Sequence, residues 1–249
     1  MFVLWSKGVR VKFNPTLQQA RLVKRYKRFL ADVIDQHGEL LTIHCPNTGS
    51  MKNCWQEGAT VWLSTSDNSK RKYAHTWEIV ETPAGHKAGI NTSRANALVL
   101  EAINAGVISE LRHFTEIRQE VPYGEESSRI DLLLTNSSGR CFVEVKNVTL
   151  YMNDGVGMFP DAVSSRGAKH LRELIAAVRQ GHRAVLFFCV QHTGIKRVCA
   201  ARAIDPAYAD LLKLAINSGV EIIAYGGEIS EQAIQLTNRI EFFDESIGS

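Results

Sequence analysis

Two apolar segments near the middle of the chain constrain its fold more than any other feature. They are residues 128–134 and 141–146, and the turn-forming residues 136–139 separate them. β-type segments on either side of such a turn predict a β-hairpin. Because side chains alternate along a strand, Glu144 and Lys146 are expected to share one face of the second strand.

The charged side chains of this hairpin predict a metal site. Glu144 and Lys146 are costly to bury on an apolar strand unless they are paired or hold an ion. Asp131, on the neighbouring strand, can reach the same place. Two carboxylates and an ammonium group suit a Mg²⁺ site for phosphodiester chemistry, because Mg²⁺ prefers oxygen ligands and polarises phosphate oxygens. The alternative is a structural ion pair, or a degenerate site that only grips DNA.

Length and composition describe an ordinary globular chain. Its 249 residues allow one large domain or two modest ones, and 45% of them are hydrophobic and 22% charged. No run of about 18 uncharged apolar residues is present, so no membrane span is expected. The first residues do not follow the pattern of a signal peptide, which predicts a cytoplasmic location. The five cysteines include no C-x-x-C pair, so neither a disulfide framework nor a zinc ribbon is expected.

Charge is distributed unevenly along the chain. Residues 1–30 contain eight basic residues and no acidic one, whereas residues 221–249 contain six acidic residues and one basic residue. A basic segment attracts polyanions, and aromatic residues within it suit stacking on nucleic-acid bases. The alternative is a solvated basic strand face. The predicted nucleic-acid-binding residues of this segment are Arg10, Lys12, Lys24, Arg25, Tyr26, Lys27 and Arg28.

Secondary-structure patterns divide the chain into two predicted domains. Residues 1–85 are rich in β-type segments and predict a small barrel of the OB type. The turn-forming residues 82–85 mark the boundary with a second domain at 86–249. The five predicted strands of the first domain are residues 9–13, 22–34, 40–44, 60–64 and 73–80.

The second domain is predicted to be mixed α/β. A helix capped by Thr92 or Ser93 precedes a strand and the hairpin, and a helix capped by Ser164 or Ser165 follows. Strand, helix and strand at the end of the chain predict a parallel crossover. The predicted elements beside the hairpin are a helix at 94–105, a strand at 113–121, a helix ending at 180, a strand at 183–191, a helix at 207–217 and a final strand at 220–225.

This order of elements, with the pattern Asp131…Glu144-x-Lys146, resembles the core of the PD-(D/E)XK nuclease superfamily. Longer blocks of sequence resemble the sugar fermentation stimulation protein A family. The blocks are residues 28–33, 44–51, 144–150, 159–163, 166–174 and 204–208. The resemblance implies an N-terminal OB-fold domain and a C-terminal nuclease-like α/β domain. It also implies DNA binding with little sequence preference, and a role in regulating sugar (maltose) utilisation.

The resemblance also implies roles for individual residues. Asp131 and Glu144 would hold Mg²⁺ or Mn²⁺, with the carbonyl of Val145 as a further ligand. Lys146 would orient or polarise the attacking water, and Glu101, on the preceding helix, would be an additional acidic ligand. These four side chains, Asp131, Glu144, Lys146 and Glu101, are the predicted catalytic residues.

Basic residues near the start of the second long helix are further candidates for contact with DNA. Arg166, Lys169 and His170 lie where backbone N–H groups also favour anions. The alternative is an ordinary polar helix face. The glycine-bearing loop at 153–158 lacks a dinucleotide-binding pattern, so no nucleotide cofactor is expected.

The sequence therefore predicts a cytoplasmic, two-domain DNA-binding protein with a Mg²⁺-dependent phosphodiesterase site. The first alternative is a regulator that binds DNA in the same cleft without cutting it. A second is a protein that binds RNA, since OB-type barrels also take RNA. The sequence leaves the oligomeric state open.

Overall fold

The computed structural model describes residues 11–244 of the chain. Arg10, a predicted nucleic-acid contact, lies outside these residues. Within them the fold is mixed α/β, as predicted, with a β-barrel followed by a larger α/β domain. No helix in this part of the chain has the length and apolar character needed to cross a bilayer.

The N-terminal part forms a closed barrel. A six-stranded sheet runs in the order β4-β3-β2-β5-β6-β7, and a pairing between His44 and Thr76 joins β4 to β6 and closes it. Its core is a cluster of inward-facing apolar side chains that includes Leu22, Val61 and Trp77. The first strands of the chain are β1 (Val11–Lys12), β2 (Gln18–Tyr26), β3 (Leu30–Asp35), β4 (Leu40–His44), β5 (Thr60–Thr65), β6 (His75–Glu81) and β7 (Lys87–Gly89).

The structure corrects two predicted strands of the barrel. Residues 22–34 form two strands, because the chain reverses where Lys27 and Arg28 have φ angles of 50° and 63°. The loop contains no glycine, asparagine or aspartate to mark it as a turn in the sequence. The strand predicted at 9–13 is β1, which pairs with the large sheet of the second domain and not with the barrel.

The second domain is built on a seven-stranded sheet in the order β1-β16-β15-β13-β10-β9-β8, beside a four-stranded sheet in the order β11-β12-β14-β17. Strands β10, β13 and β15 are parallel neighbours, as the predicted crossover requires. The elements are α1 (Ala95–Asn104), β8 (Glu116–Tyr123), β9 (Ser128–Asn136), β10 (Gly139–Val148), β11 (Leu150–Tyr151), β12 (Val156–Phe159), α2 (Ser165–Arg179), β13 (Arg183–Val190), β14 (Arg197–Ala200), α3 (Pro206–Asn217), β15 (Glu221–Ile229), β16 (Ala233–Arg239) and β17 (Glu241–Phe242).

Capping residues fix the helices that approach the hairpin. Ser164 accepts a hydrogen bond from the N–H of Gly167 and begins α2, which confirms one of the two predicted caps. Before α1, the cap is Asn91, whose side chain accepts from the N–H of Ser93 and starts a 3₁₀ turn. The predicted caps Thr92 and Ser93 are therefore wrong, because the chain turns one residue earlier than the helical pattern shows.

The C-terminal strands extend beyond the predicted end of the fold. The strand predicted at 220–225 continues to Ile229, and β16 and β17 follow it. β16 pairs antiparallel with β15, and the pairing shifts register between Gly226 and Gly227. These two glycines follow the predicted end of the strand at residue 225, and they form an irregularity inside a strand that continues.

Two apolar cores lie on opposite faces of the large sheet. One contains the inner face of α1, where Leu98 and Val99 are buried as predicted. The other contains the inner face of α2, including Leu171 and Leu174, and part of α3. Burial of this apolar surface on both faces stabilises the sheet and holds the hairpin of β9 and β10 rigidly between the helices.

Candidate metal and nucleic-acid site

A cleft of about 550 Å³ lies between the barrel and the α/β domain. Its barrel wall is the loop containing Asn47, Thr48 and Gly49. The opposite wall consists of the β9–β10 hairpin and the first turns of α1 and α2. The three charged residues predicted from the hairpin, Asp131, Glu144 and Lys146, all line this cleft.

The sheet opens where Asp131 and Glu144 meet. The backbone pairing of β9 with β10 ends at Leu132 and Val143, one residue before the two acids. There the N–H of Val145 donates to Asp131 Oδ2 at 2.7 Å instead of to a backbone carbonyl. Burial and the neighbouring charge of Glu144 raise the pKa of Asp131. The two carboxylates are thus close enough to repel one another.

Two basic groups hold Glu144 in its ionised form. Glu144 is 1% exposed, and its Oε1 accepts from Lys146 Nζ at 2.6 Å and contacts His170 Nδ1. Lys146 Nζ and His170 Nδ1 are 2.9 Å apart. Burial alone pushes the pKa of Glu144 upward, but the bond to His170 and the charge of Lys146 outweigh it, and the net pKa is lowered.

The donor set fits a hard divalent cation. Glu144 Oε2 is buried and has no hydrogen-bond partner within the part of the chain that the structure describes, although a buried carboxylate oxygen ordinarily requires one. Asp131 and Glu144 offer the oxygen ligands that Mg²⁺ prefers while it retains several waters. Within residues 11–244, no three His, Cys, Asp or Glu side chains are grouped so that they could hold an ion without moving.

Glu101 is not brought to this cleft. The residue of α1 that reaches the carboxylates is Asn96, whose Nδ2 lies 2.9 Å from Asp131 Oδ1. Glu101 is five positions further along α1, roughly 140° away around the helix, and does not line the cleft. The predicted ligand position on α1 is thus occupied by a neutral amide.

Arg25, a predicted nucleic-acid contact, supports the wall of the cleft instead. Its NH2 group donates to the carbonyls of Arg28, Asn47 and Gly49, each at 2.9 Å. One nitrogen of the guanidinium is therefore committed to the protein backbone, whereas Nε is buried without a hydrogen-bond partner among residues 11–244. Its contact with the barrel loop couples the end of the β2–β3 hairpin to the cleft.

Two further residues of the same hairpin interact with Asp32. Tyr26 donates its hydroxyl to Asp32 at 2.9 Å, and Lys24 pairs with the same carboxylate at 3.4 Å. Both side chains also remain open to contact with a ligand, since Lys24 is 63% exposed and Tyr26 is half-buried. The exposed residues at the end of the hairpin are Lys27, Arg28 and Phe29.

The remaining predicted nucleic-acid contacts fall into different surroundings. Arg166 lines the cleft, with its Nε 3.5 Å from His170 Nε2. His170 itself is buried against Glu144, so it serves the carboxylate rather than an open surface. Lys169 is half-buried and does not line the cleft, and Lys12 is exposed on the large sheet.

Asp161 is a site residue that the sequence did not single out by itself. It follows β12, and its Oδ2 accepts from the hydroxyl of Ser50 and the N–H of Met51, both at 3.1 Å. At Gly49 a Cβ atom would lie 2.7 Å from the same oxygen, so the loop passes too close for a larger residue. This contact between distant parts of the chain fixes the barrel loop over the cleft.

Comparisons with known proteins agree with the two-domain architecture. Residues 23–90 match the family model of the SfsA N-terminal OB domain, which identifies the barrel as an OB domain. Residues 93–233 match the model of the sugar fermentation stimulation protein RE domain.

Relatives of high identity cover nearly the whole chain. The sugar fermentation stimulation protein homolog of Shewanella loihica is 60% identical over 225 residues, which is 90% of this chain and 96% of the relative. The homolog of Saccharophagus degradans is 55% identical over 231 residues, or 93% and 99% of the two chains. The structure of Pyrococcus furiosus SfsA in complex with Ca²⁺ is 27% identical, with a TM-score of 0.83 and coverage of 94% and 99%. The chain therefore belongs to the sugar fermentation stimulation protein family.

Proposed function

We propose that this protein binds DNA across the cleft between its domains and hydrolyses phosphodiester bonds there with a divalent cation, Mg²⁺ or Mn²⁺. The observation that carries the proposal is the convergence of Asp131, Glu144 and Lys146 at one opened edge of the hairpin. Two acids and a lysine in a water-accessible cleft are poorly explained as a structural ion pair. Replacing such a pair by apolar residues is often neutral or stabilising, so stability alone gives little reason for it.

The two carboxylates would be the ligands of the cation. Asp131 is held by Asn96 and by the N–H of Val145, which fixes the direction of its oxygens. Glu144 presents its unpaired Oε2 in the same cleft. A related SfsA has been solved in complex with Ca²⁺, another cation that prefers oxygen ligands, and this supports a cation site in the family. When bound, the cation would lower the pKa of a coordinated water and offset charge on the phosphate.

Lys146 would act on the attacking water and on the charge of the phosphate, and His170 would position Lys146. Lys146 Nζ contacts Glu144 Oε1 at 2.6 Å and His170 Nδ1 at 2.9 Å, and those two atoms also contact each other. Its ammonium can orient a water molecule and neutralise charge that develops on a phosphate oxygen. His170, buried behind Lys146, would limit the directions in which the ammonium points. Arg166 at the rim would contact a flanking phosphate.

The end of the β2–β3 hairpin extends the same surface onto the barrel. Lys27, Arg28 and Phe29 are exposed there, and the carbonyl of Phe29 accepts from the N–H of Cys45, which leads into the cleft loop. Phe29 is 46% exposed, so its ring is available to stack on a bound base. Cations beside an aromatic ring suit backbone contact with base stacking.

The test is cleavage of end-labelled single-stranded, duplex and branched DNA, with single-stranded RNA as a competitor, in Mg²⁺ or Mn²⁺. The wild type is compared with Glu144→Gln and Lys146→Gln, which keep side-chain size. Lys213→Gln on α3 is the matched control, because Lys213 is an exposed lysine outside the cleft and is not a predicted DNA contact. The proposal expects metal-dependent cutting in the wild type and the control, reduced by about 100-fold or more in the two cleft variants.

A non-catalytic DNA-binding regulator is the second candidate function. The observation in its favour is that Lys146 and His170 already occupy Glu144 Oε1, so only one oxygen of that carboxylate is open. This candidate predicts equal DNA affinity in all four proteins and no cutting with either metal. A cleavage activity that the cleft variants retain in full would contradict the proposed site and place the chemistry elsewhere.

A further inference from the structure

We propose that Glu120 is a third acidic ligand of the cation, in the role that the resemblance gives to Glu101. The inference rests on the proposed cation site and adds a residue to it. Glu120 lies on β8, the first strand before the hairpin, and its side chain lines the cleft. The superfamily pattern places its additional acid on the helix that precedes the hairpin, which is α1 here. Glu120 lies on strand β8, so the pattern does not indicate it.

Strand register places Glu120 beside Asp131. Gln119 pairs with Leu132 and Val121 pairs with Ile130, so the antiparallel register carries Glu120 past Asp131, although these two residues are not themselves paired. Residues opposite one another on neighbouring strands are close enough for their side chains to interact. Two acids in that relation repel each other, and a shared cation or a bridging donor relieves the repulsion.

A bridging donor is present between the two carboxylates. Asn96 Nδ2 lies 2.9 Å from Asp131 Oδ1 and 3.4 Å from Glu120 Oε1. Asp131 Oδ1 and Glu120 Oε1 therefore share one donor, the amide nitrogen of Asn96. The longer contact is weak, and the Glu120 side chain is exposed, so little holds it away from a cation that enters between the acids.

The backbone at Glu120 is held in an uncommon conformation. Its φ angle is 52°, in the left-handed region that non-glycine residues seldom adopt. Arg129 NH1 donates to the Glu120 carbonyl at 2.8 Å and fixes this conformation. Such residues cluster at functional sites, where a strained backbone directs a side chain.

An independent observation indicates that a ligand belongs at this place. Glu144 lines the same cleft and is 1% exposed, and its buried Oε2 has no hydrogen-bond partner among residues 11–244. A cation between Asp131, Glu144 and Glu120 would satisfy that oxygen. Because α1 supplies the amide of Asn96 rather than an acid, Glu120 would add one more carboxylate oxygen for a cation such as Ca²⁺, which takes about six to eight oxygen ligands.

The experiment is Ca²⁺ titration of the full chain by calorimetry, followed by thermal unfolding with and without Ca²⁺. The variants are Glu120→Gln, Asp131→Asn and Glu101→Gln. Glu116→Gln is the matched control, since Glu116 is an exposed acid on the same strand that faces Arg118. Glu120→Gln is expected to weaken Ca²⁺ binding by about 10-fold or more and to reduce the Ca²⁺-induced rise in melting temperature.

The control outcomes separate this inference from the proposed function. Glu101→Gln and Glu116→Gln are expected to stay within about two-fold of the wild type, and Asp131→Asn to lose most binding. Wild-type affinity in Glu120→Gln, with binding lost in Asp131→Asn, would overturn the role of Glu120 and leave the cation site intact. Unchanged binding in both, or no binding by the wild type, would overturn the site as well.

Discussion

The ion pair between Glu78 and Arg94 connects the barrel to the helix that faces the cleft. Glu78 is on β6 and its side chain is 1% exposed. Oε1 accepts from Ser64 at 2.7 Å and from Arg94 at 2.8 Å, while Oε2 accepts from Asn91 at 2.8 Å and from Arg94 Nε at 3.1 Å. Asn91 and Arg94 directly precede α1, so this carboxylate positions the turn that carries Asn96.

Substitution of Glu78 by glutamine should be strongly destabilising. The new amide group would face donors of Arg94 or Asn91, so about two of the four hydrogen bonds would be lost. Hydrogen bonds to charged groups contribute about 1.5–3 kcal/mol each. Arg94 is 32% exposed and partly regains water, which lowers the cost. We expect the free energy of unfolding to fall by about 3 kcal/mol, which is the lower end of the range of about 3–5 kcal/mol for breaking a buried ion pair. The Tm should fall by roughly 6–12 °C.

The assay is urea and thermal unfolding of Glu78→Gln, followed by circular dichroism beside the wild type. Glu116→Gln is the control, since its pair with Arg118 is exposed and 3.7 Å long. The control should change stability by less than about 0.5 kcal/mol. A loss below about 1 kcal/mol for Glu78→Gln would refute the view that this pair joins the two domains.

Three further predictions follow from the cleft wall and the basic hairpin. Arg25→Lys should cost about 1–2 kcal/mol, because the lysine side chain ends one bond short of the Arg25 NH2 nitrogen that contacts three carbonyls at 2.9 Å, and thermal unfolding measures this. Burial raises the pKa of Asp32, but bonds from Thr42 and Tyr26 and the charge of Lys24 outweigh it and lower the pKa below 3.8. Ionised Asp32 thus stabilises the fold above about pH 4. The difference in unfolding free energy between the wild type and Asp32→Asn should shrink as the pH falls below that value, and equal differences at about pH 6 and about pH 2.5 would contradict this. Lys27→Ala should weaken DNA binding uniformly across sequences, with stability unchanged, and should reduce the slope of log affinity against log salt concentration by about 1. Fluorescence titrations at several salt concentrations measure this slope, and an unaltered slope would exclude the contact.

Local sequence patterns predicted most of the architecture. The hairpin of β9 and β10, the inner face of α1 and the cap at Ser164 follow from alternation, helical periodicity and capping, which depend on near neighbours. The predictions were wrong where tertiary structure overrides such signals. The turn at Lys27 and Arg28 has no turn-forming residue, and β16 follows a strand that two glycines did not end.

The candidate site was predictable only in part, for the same reason. Asp131, Glu144 and Lys146 lie on adjacent strands joined by a short turn, so their meeting can be inferred from spacing. The roles of Arg25 and Asp161 depend on contacts with the loop at 47–51, and no periodicity connects those segments. Glu120 faces Asp131 only through strand register, which the sequence does not fix before the sheet is known.

The central claim is that the acids of the hairpin hold a divalent cation next to Lys146. Crystals of the full chain grown with Mn²⁺ and measured at the manganese absorption edge would test it directly. We expect an anomalous peak bounded by Asp131 and Glu144 in the wild type. Crystals of Asp131→Asn should lack this peak. A fully ordered cleft without such a peak, or with Mn²⁺ bound only at surface acids, would contradict it.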